Sequence, residues 1–314
     1  MLALVTGCAG FIGSGLARSL LDSGWSVRGV DCYTTYYDVA VKRANIDPLR
    51  ANARFELLDV DLLDADVRAL LEGVDVVFHQ AGQPGVRLSW AEGFSTYAQL
   101  NINVTQRMLE AARAQPVSRF VFASSSSVYG NAQSYPTRES DPTTPHSPYG
   151  VTKLAAELLC RAYAHNFDLP TVSLRYFTVY GPGQRPDMAI HRMVEAALHR
   201  GSFQVFGDGT QVRDFTYVDD IVRANILAAT QELEPGVVLN LAGGTSTTVA
   251  ELLRTVGEAV GTPVPVVWQQ AQPGDVQRTG GSIELAGARL GWKPEISLAE
   301  GVNRQVDWHR TRRT

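Results

Sequence analysis

The apolar positions in the first 180 residues form short unbroken runs separated by longer stretches of helical period. Leu2–Thr6, Ser26–Asp31, Phe55–Asp59, 75–80, 119–124 and Thr171–Tyr176 read as strands. Most show no apolar/polar alternation, the pattern of strands covered on both faces. Between them, residues 12–22, 97–114 and 149–166 read as helices. Alternation of this kind predicts a doubly wound, Rossmann-like parallel sheet, assigned to residues 1–180. From Gly181 onward, Gly and Pro clusters (GPGQRP, FGDGT, QPGDV, GWKP) interrupt shorter elements. Residues 181–314 are therefore expected to form a smaller α/β substrate domain that exchanges segments with the first. No internal repeat of solenoid period is present.

Two turn regions carry chemistry. TGCAGFIGSG (6–15) follows the first strand and opens the first helix. Gly7 permits the tight turn, Gly10 lets the backbone approach a pyrophosphate, and Gly13 allows close helix–strand packing. Asp31 closes the second strand 18 residues after Gly13. Its carboxylate suits the adenosine ribose hydroxyls and repels a 2′-phosphate, which favours NAD over NADP. Phe11, Ile12, Asp59, Val60, Gln80, Ala81, Gly82 and Tyr176, at strand ends and in the glycine turn, complete the expected cofactor set. Cys8 fills a small-residue slot.

The second region is SPYGVTK (147–153). Ser147 and Pro148 suit an N-cap and first helical position. Tyr149 and Lys153 then share one helix face. An ammonium beside the phenol, with the positive nicotinamide ring, is expected to lower the tyrosine pKa from about 10 and make it a general base. Ser125 closes a strand 24 residues earlier.

Composition narrows the class. The chain has 314 residues, 45% hydrophobic and 19% charged, with a formal net charge of -4. That balance argues against a nucleic-acid binder, and no basic tract addresses an anionic membrane. No run approaches a membrane span, and the start MLALVTG lacks signal-peptide features. The three cysteines (Cys8, Cys32, Cys160) and six histidines show no metal-ligand spacing, so no metal is expected. Unpaired cysteines suggest a reducing cytoplasm.

These motifs together resemble the extended short-chain dehydrogenase/reductase superfamily, and within it the nucleotide-sugar epimerases. The resemblance runs nearly end to end through TGCAGFIGS, ASSSSVYG, YGVTK, LRYFTVYGPGQRPDMA and GDGTQVRDFTYVDDI. It implies Ser125 as catalytic hydroxyl, Tyr149 as base, and Lys153 as electrostatic partner and ribose anchor. It further implies that Arg213, Asp275 and Arg278 hold the diphosphate and ribose of a UDP-sugar, and that the protein forms a homodimer through the helices around 97–114 and 149–166. Gly280-Gly281-Ser282 departs from relatives, which usually carry an aromatic and an aspartate there.

Before VYG, sugar 4,6-dehydratases carry Asp-Glu, and UDP-glucuronate decarboxylases carry Glu in the second position. Here Ser126 and Ser127 stand there, and neither is a carboxylate base. That leaves 4-epimerisation. YGPGQRPDMAIHR, YYDVAVKRANI and GVRLS are most similar to the UDP-glucuronate 4-epimerases. On that reading Arg185 and Arg87 are cations for a uronate, and Ser126, Ser127 and Thr178 are hydroxyl donors. Thr178 stands where many UDP-glucose epimerases carry Asn. The alternatives are an epimerase for UDP-glucose or UDP-N-acetylglucosamine, UDP-glucuronate decarboxylation, and a non-catalytic NAD sensor.

Overall fold

A computed structural model of the chain describes residues 1–199, 201–270 and 276–312. Strands β1 (Leu2–Thr6), β2 (Ser26–Asp31), β3 (Phe55–Asp59), β4 (Val76–His79), β5 (Arg119–Ser125) and β6 (Thr171–Tyr176) follow the predicted runs to within a residue. Beyond them lie β7 (Thr178–Tyr180), β8 (Phe203–Phe206), β9 (Val212–Tyr217), β10 (Val237–Leu241), β11 (Ser246–Thr248) and β12 (Val266–Gln269). Seven strands form one all-parallel sheet in the order β10-β6-β5-β4-β1-β2-β3.

The unalternating runs now have a physical reason. Ala3, Val5, Val76, Phe78, Val121 and Ala123 pack into one apolar layer, while Leu4, Val77, Phe120 and Phe122 pack into another. Successive side chains point to opposite faces of a strand, so a sheet covered on both sides needs apolar residues at every position. At about 25 cal/mol per Å² of apolar surface removed from water, each large side chain so buried contributes roughly 1.5–3 kcal/mol.

The covering helices are α1 (Phe11–Asp22), α2 (Val39–Ile46), α3 (Val67–Leu70), α4 (Phe94–Tyr97), α5 (Val104–Ala114), α6 (Pro148–Phe167), α7 (Ala189–His199), α8 (Val218–Thr230), α9 (Val249–Val260), α10 (Glu284–Leu290) and α11 (Leu298–Thr311). The single helix expected over 97–114 is α4 and α5 joined by a π-helical stretch, Ala98–Asn103. This wider turn carries Asn101, whose side chain accepts from Gln83 N, donates to Gln83 O and donates to Thr152 Oγ1.

The chain twice passes from the large sheet into a small one. β6 belongs to the large sheet and β7 to a three-stranded sheet, β11-β9-β7, and β10 and β11 repeat the move. Residues 237–241 thus return to the sheet built by the first half. Among the described residues, no helix is long and apolar enough to cross a membrane.

Candidate active site

The strand order reverses at β1, whose neighbours are β2 on one side and β4 on the other. Ligands of such sheets sit outside the carboxyl ends of the strands at this switch point. A cavity opens there, walled by Gly7, Gly10 and Gly13, by Asp31 at the end of β2, by Gln80, Ala81 and Gly82 after β4, and by Lys153 and Tyr149.

The glycine turn is built as its spacing suggests. Gly7 has φ +68°, and a Cβ there would lie 2.9 Å from the Ala81 backbone. A Cβ on Gly13 would lie 2.2 Å from the Gly7 carbonyl oxygen, so α1 can approach β1 only without one. At Gly10 the sole neighbour of such a Cβ is that same carbonyl, at 3.1 Å, and the remaining space belongs to the cavity. Gly10 is also the N-cap of α1 and supplies no side-chain cap, so the first-turn amides are left for an anion. Asp31 accepts from Ala9 N at 3.1 Å and from Tyr33 N at 2.9 Å, which fixes the carboxylate at the rim. An uncapped helix start, a backbone bare of Cβ and a fixed carboxylate one strand away fit a dinucleotide. Phe11, Ile12, Val60 and Tyr176 are also in this wall.

Asp59 lies outside it. It is exposed at the end of β3, and Val60, Asp61 and Leu62 occupy the wall instead. The chain turns into the cavity only after the strand has ended, so the strand's last carboxylate stays outside.

Ser147 caps α6 by accepting from Gly150 N at 3.1 Å, and Pro148 opens the helix. A Cβ on Gly150 would lie 2.5 Å from the Ser127 carbonyl oxygen, so the first turn of α6 rests directly on the serine turn. This contact brings Tyr149 to Ser125. The Ser125 hydroxyl accepts from Ser127 N at 3.1 Å and hydrogen-bonds the Tyr149 phenol. With the Ser127 amide on its oxygen, the Ser125 proton is directed at the phenol.

Burial pushes the Tyr149 phenol above its usual range, against the hydrogen bond from Ser125 and the nearby Arg185 charge. The expected lowering is therefore absent in the cofactor-free protein. Lys153 is desolvated as well. Its ammonium stands 4.4 Å from the centre of the Phe122 ring, and burial lowers its pKa to about 8 against the opposing pull of Cys160 and Glu157. Both groups are short of solvation.

Arg185 enters the wall from the turn after β7, its guanidinium forked onto Asp187 at 2.9 and 3.0 Å. Tyr36, also in the wall, donates to Asp187 at 3.4 Å. The other expected substrate residues lie outside this wall. Ser126 and Ser127 form the short 3-10 turn after β5, and Thr178 begins β7. The Arg87 guanidinium stacks 4.3 Å from the Phe206 ring centre. Arg213 and Arg278 are neighbours across the bridge between Val212 and Arg278; Arg213 donates to Val212 O at 2.9 Å, and Arg278 lies 4.7 Å over the Tyr135 ring. Asp275 falls outside the described residues.

Gly281 pairs with Thr137, and a Cβ there would lie 2.5 Å from the Phe177 ring. The Phe177 ring leaves no room for a side chain at this position.

Sequence reasoning passed over several groups. Thr34, Tyr37 and Lys42 line the cavity, with Lys42 donating to Thr34 Oγ1 at 3.0 Å. Asp214, beside Arg213, accepts from Gly243 N at 2.6 Å, and burial raises its pKa to about 7. Glu157 forks onto Arg175 at 2.6 and 3.0 Å and accepts from Ser124 at 2.6 Å. Glu157 continues the spacing of Tyr149 and Lys153 by one more turn, and that signal was available in the sequence.

Residues 3–242 match the family described as "NAD dependent epimerase/dehydratase family". The chain belongs to that family. It is 41% identical to "Uncharacterized UDP-glucose epimerase YtcB" of Bacillus subtilis, over 98% of this chain and 97% of that one. It is 38% identical to "Probable UDP-glucuronate 4-epimerase" of Rhizobium meliloti, over 98% and 97%. Among solved structures, UDP-glucuronic acid 4-epimerase from Bacillus cereus, in complex with UDP-glucuronic acid and NAD, superposes with a TM-score of 0.96 at 40% identity, covering 99% of each chain.

Proposed function

We propose that this member of the family is an NAD-dependent UDP-glucuronate 4-epimerase, interconverting UDP-glucuronate and UDP-galacturonate. The observation that carries the reading is one cavity shared by the glycine turn, the Ser125-bonded Tyr149 and the Arg185 guanidinium, next to a turn with serines where a carboxylate base would be needed for other chemistry. Likeness to the Bacillus cereus enzyme supports the uronate as substrate. The name of the Bacillus subtilis relative favours UDP-glucose as the second reading.

NAD, when bound along Gly7–Gly13 and Asp31, supplies the acceptor and donor of the C4 hydride and a positive ring charge. Tyr149 takes the C4 hydroxyl proton, aided by the added cationic charge that its buried phenol lacks in the free protein. Ser125, its proton directed by the Ser127 amide, hydrogen-bonds the C4 oxygen and steadies the 4-keto sugar. Arg213, Arg278 and Asp275 hold the UDP end while the sugar turns over about the diphosphate and presents its other face. Lys153 anchors the ribose and supports the phenolate. Residues 1–180 serve mainly the dinucleotide and 181–314 mainly the UDP-sugar, in a cytoplasmic homodimer.

A 4-keto uronate is a β-keto acid. It loses CO2 readily only when the C5–C6 bond stands perpendicular to the carbonyl plane. Ser126, Ser127 and Thr178, with Arg185 and Arg87, hold the carboxylate away from that alignment. Purified enzyme incubated separately with UDP-glucuronate and UDP-glucose, with products resolved by chromatography, tests the substrate. Faster turnover of UDP-glucose would overturn the uronate reading. Ser126→Ala and Ser127→Ala should release UDP-pentose, and an unchanged product partition in both would refute the carboxylate grip.

A further inference from the structure

His191 and Glu195 stand four residues apart on α7, so they share one face of that helix. α11 lays His309 across them. The His191 and His309 rings meet edge to face with centroids 4.5 Å apart, and His309 Nδ1 lies 2.7 Å from Glu195 Oε1. One ligand atom from each of the three residues lies within 4.8 Å of the other two. None of the three lines the cavity described above.

Two details distinguish this cluster from ordinary helix packing. His191 Nδ1 is 2.8 Å from the Gln184 carbonyl oxygen. A carbonyl only accepts, so Nδ1 carries the proton and Nε2 keeps its lone pair. His309 is 4% exposed, and its Nε2 is buried with no hydrogen-bond partner. With its Nδ1 against Glu195, the orphaned nitrogen is the one to offer a lone pair. An imidazole oriented through its other nitrogen, as the Gln184 carbonyl orients His191, is the usual arrangement of metal-ligating histidines.

We propose that His191, Glu195 and His309 bind one divalent transition metal of the zinc class, clasping α11 to α7. Zinc takes nitrogen and carboxylate oxygen at about 2.0–2.2 Å, so ligand atoms on a tetrahedron sit roughly 3.3–3.5 Å apart. The Glu195 side chain, 43% exposed, closes the present spread by leaving His309 Nδ1 and swinging onto the ion. Its exposure leaves the fourth position to water. Arg312 opposes a cation here, and Glu195 and Asp187 offset it. Because His191 is held by Gln184, the clasp also ties down the turn leading into Arg185. Two imidazoles and a carboxylate with an open position suit zinc better than magnesium or calcium, which prefer oxygen.

The untagged full-length protein, stripped with chelator and dialysed, is titrated with ZnCl2 by calorimetry, and bound metal is counted by mass spectrometry. One zinc per chain is expected, with a rise of several degrees in Tm. Glu195→Gln and His309→Gln should each weaken binding at least tenfold and abolish the rise. Glu195 is half-exposed, so its variant keeps the test valid if His309→Gln unfolds. His165→Gln, at an exposed histidine on α6, should bind as wild type. Absence of stoichiometric zinc, or equal binding by wild type and Glu195→Gln, overturns the proposal.

Discussion

Replacing Glu157 with Ala removes one half of an ion pair that is almost wholly inside the protein. The Arg175 and Glu157 side chains are 4% and 1% exposed. The carboxylate takes two guanidinium bonds and the Ser124 hydroxyl, and Arg175 also donates to Tyr129 at 2.5 Å. After the substitution the guanidinium keeps its charge but loses its counter-ion in a medium of low dielectric. Removing one partner of such a pair costs about 3–5 kcal/mol, against at most about 1 for an exposed pair. At roughly 2–4 °C per kcal/mol, Tm should fall by about 6–20 °C. Urea unfolding followed by tryptophan fluorescence, with a thermal melt alongside, measures it. The double variant Glu157→Leu with Arg175→Met should recover most of the loss, because apolar residues of similar volume need no counter-charge. A loss under about 1 kcal/mol for Glu157→Ala, or a double variant no better than the single, would refute the reasoning.

Three further outcomes follow from particular contacts. Burial lowers Lys153 from 10.5 to about 8, so between those values the unfolded chain binds more protons and stability should rise with pH. Lys153→Met should abolish turnover yet stabilise the cofactor-free protein at pH 7 by about 3 kcal/mol, a gain that disappears above pH 10.5 in urea titrations. Gly13→Ala drives a Cβ to 2.2 Å from a backbone oxygen, so α1 must shift, and NAD affinity by calorimetry should drop tenfold or more. Gly281→Ala meets the Phe177 ring at 2.5 Å and should cost about 1–3 kcal/mol in urea unfolding.

Read by itself, the sequence determined whatever depends on near neighbours. Strand runs, the glycine spacing of 7–13, the Ser147-Pro148 helix start and the four-residue step from Tyr149 to Lys153 are set by the periods of strand and helix, which any reader of the chain can count. The double-sided burial of the sheet followed from the missing alternation. Tertiary structure decided what depends on closing long loops. It put Asp61 rather than Asp59 in the cavity wall, because the chain turns inward only after β3 ends. It made Arg213 and Arg278 neighbours through a single bridge, 65 residues apart in the chain, and showed Gly281 to be dictated by Phe177. It left the Tyr149 pKa raised in the cofactor-free chain, since a pKa answers to the depth of burial and not to spacing alone. The His191–His309 pairing is the extreme case. Residues 118 positions apart share no period, and only the packing of α11 on α7 joins them.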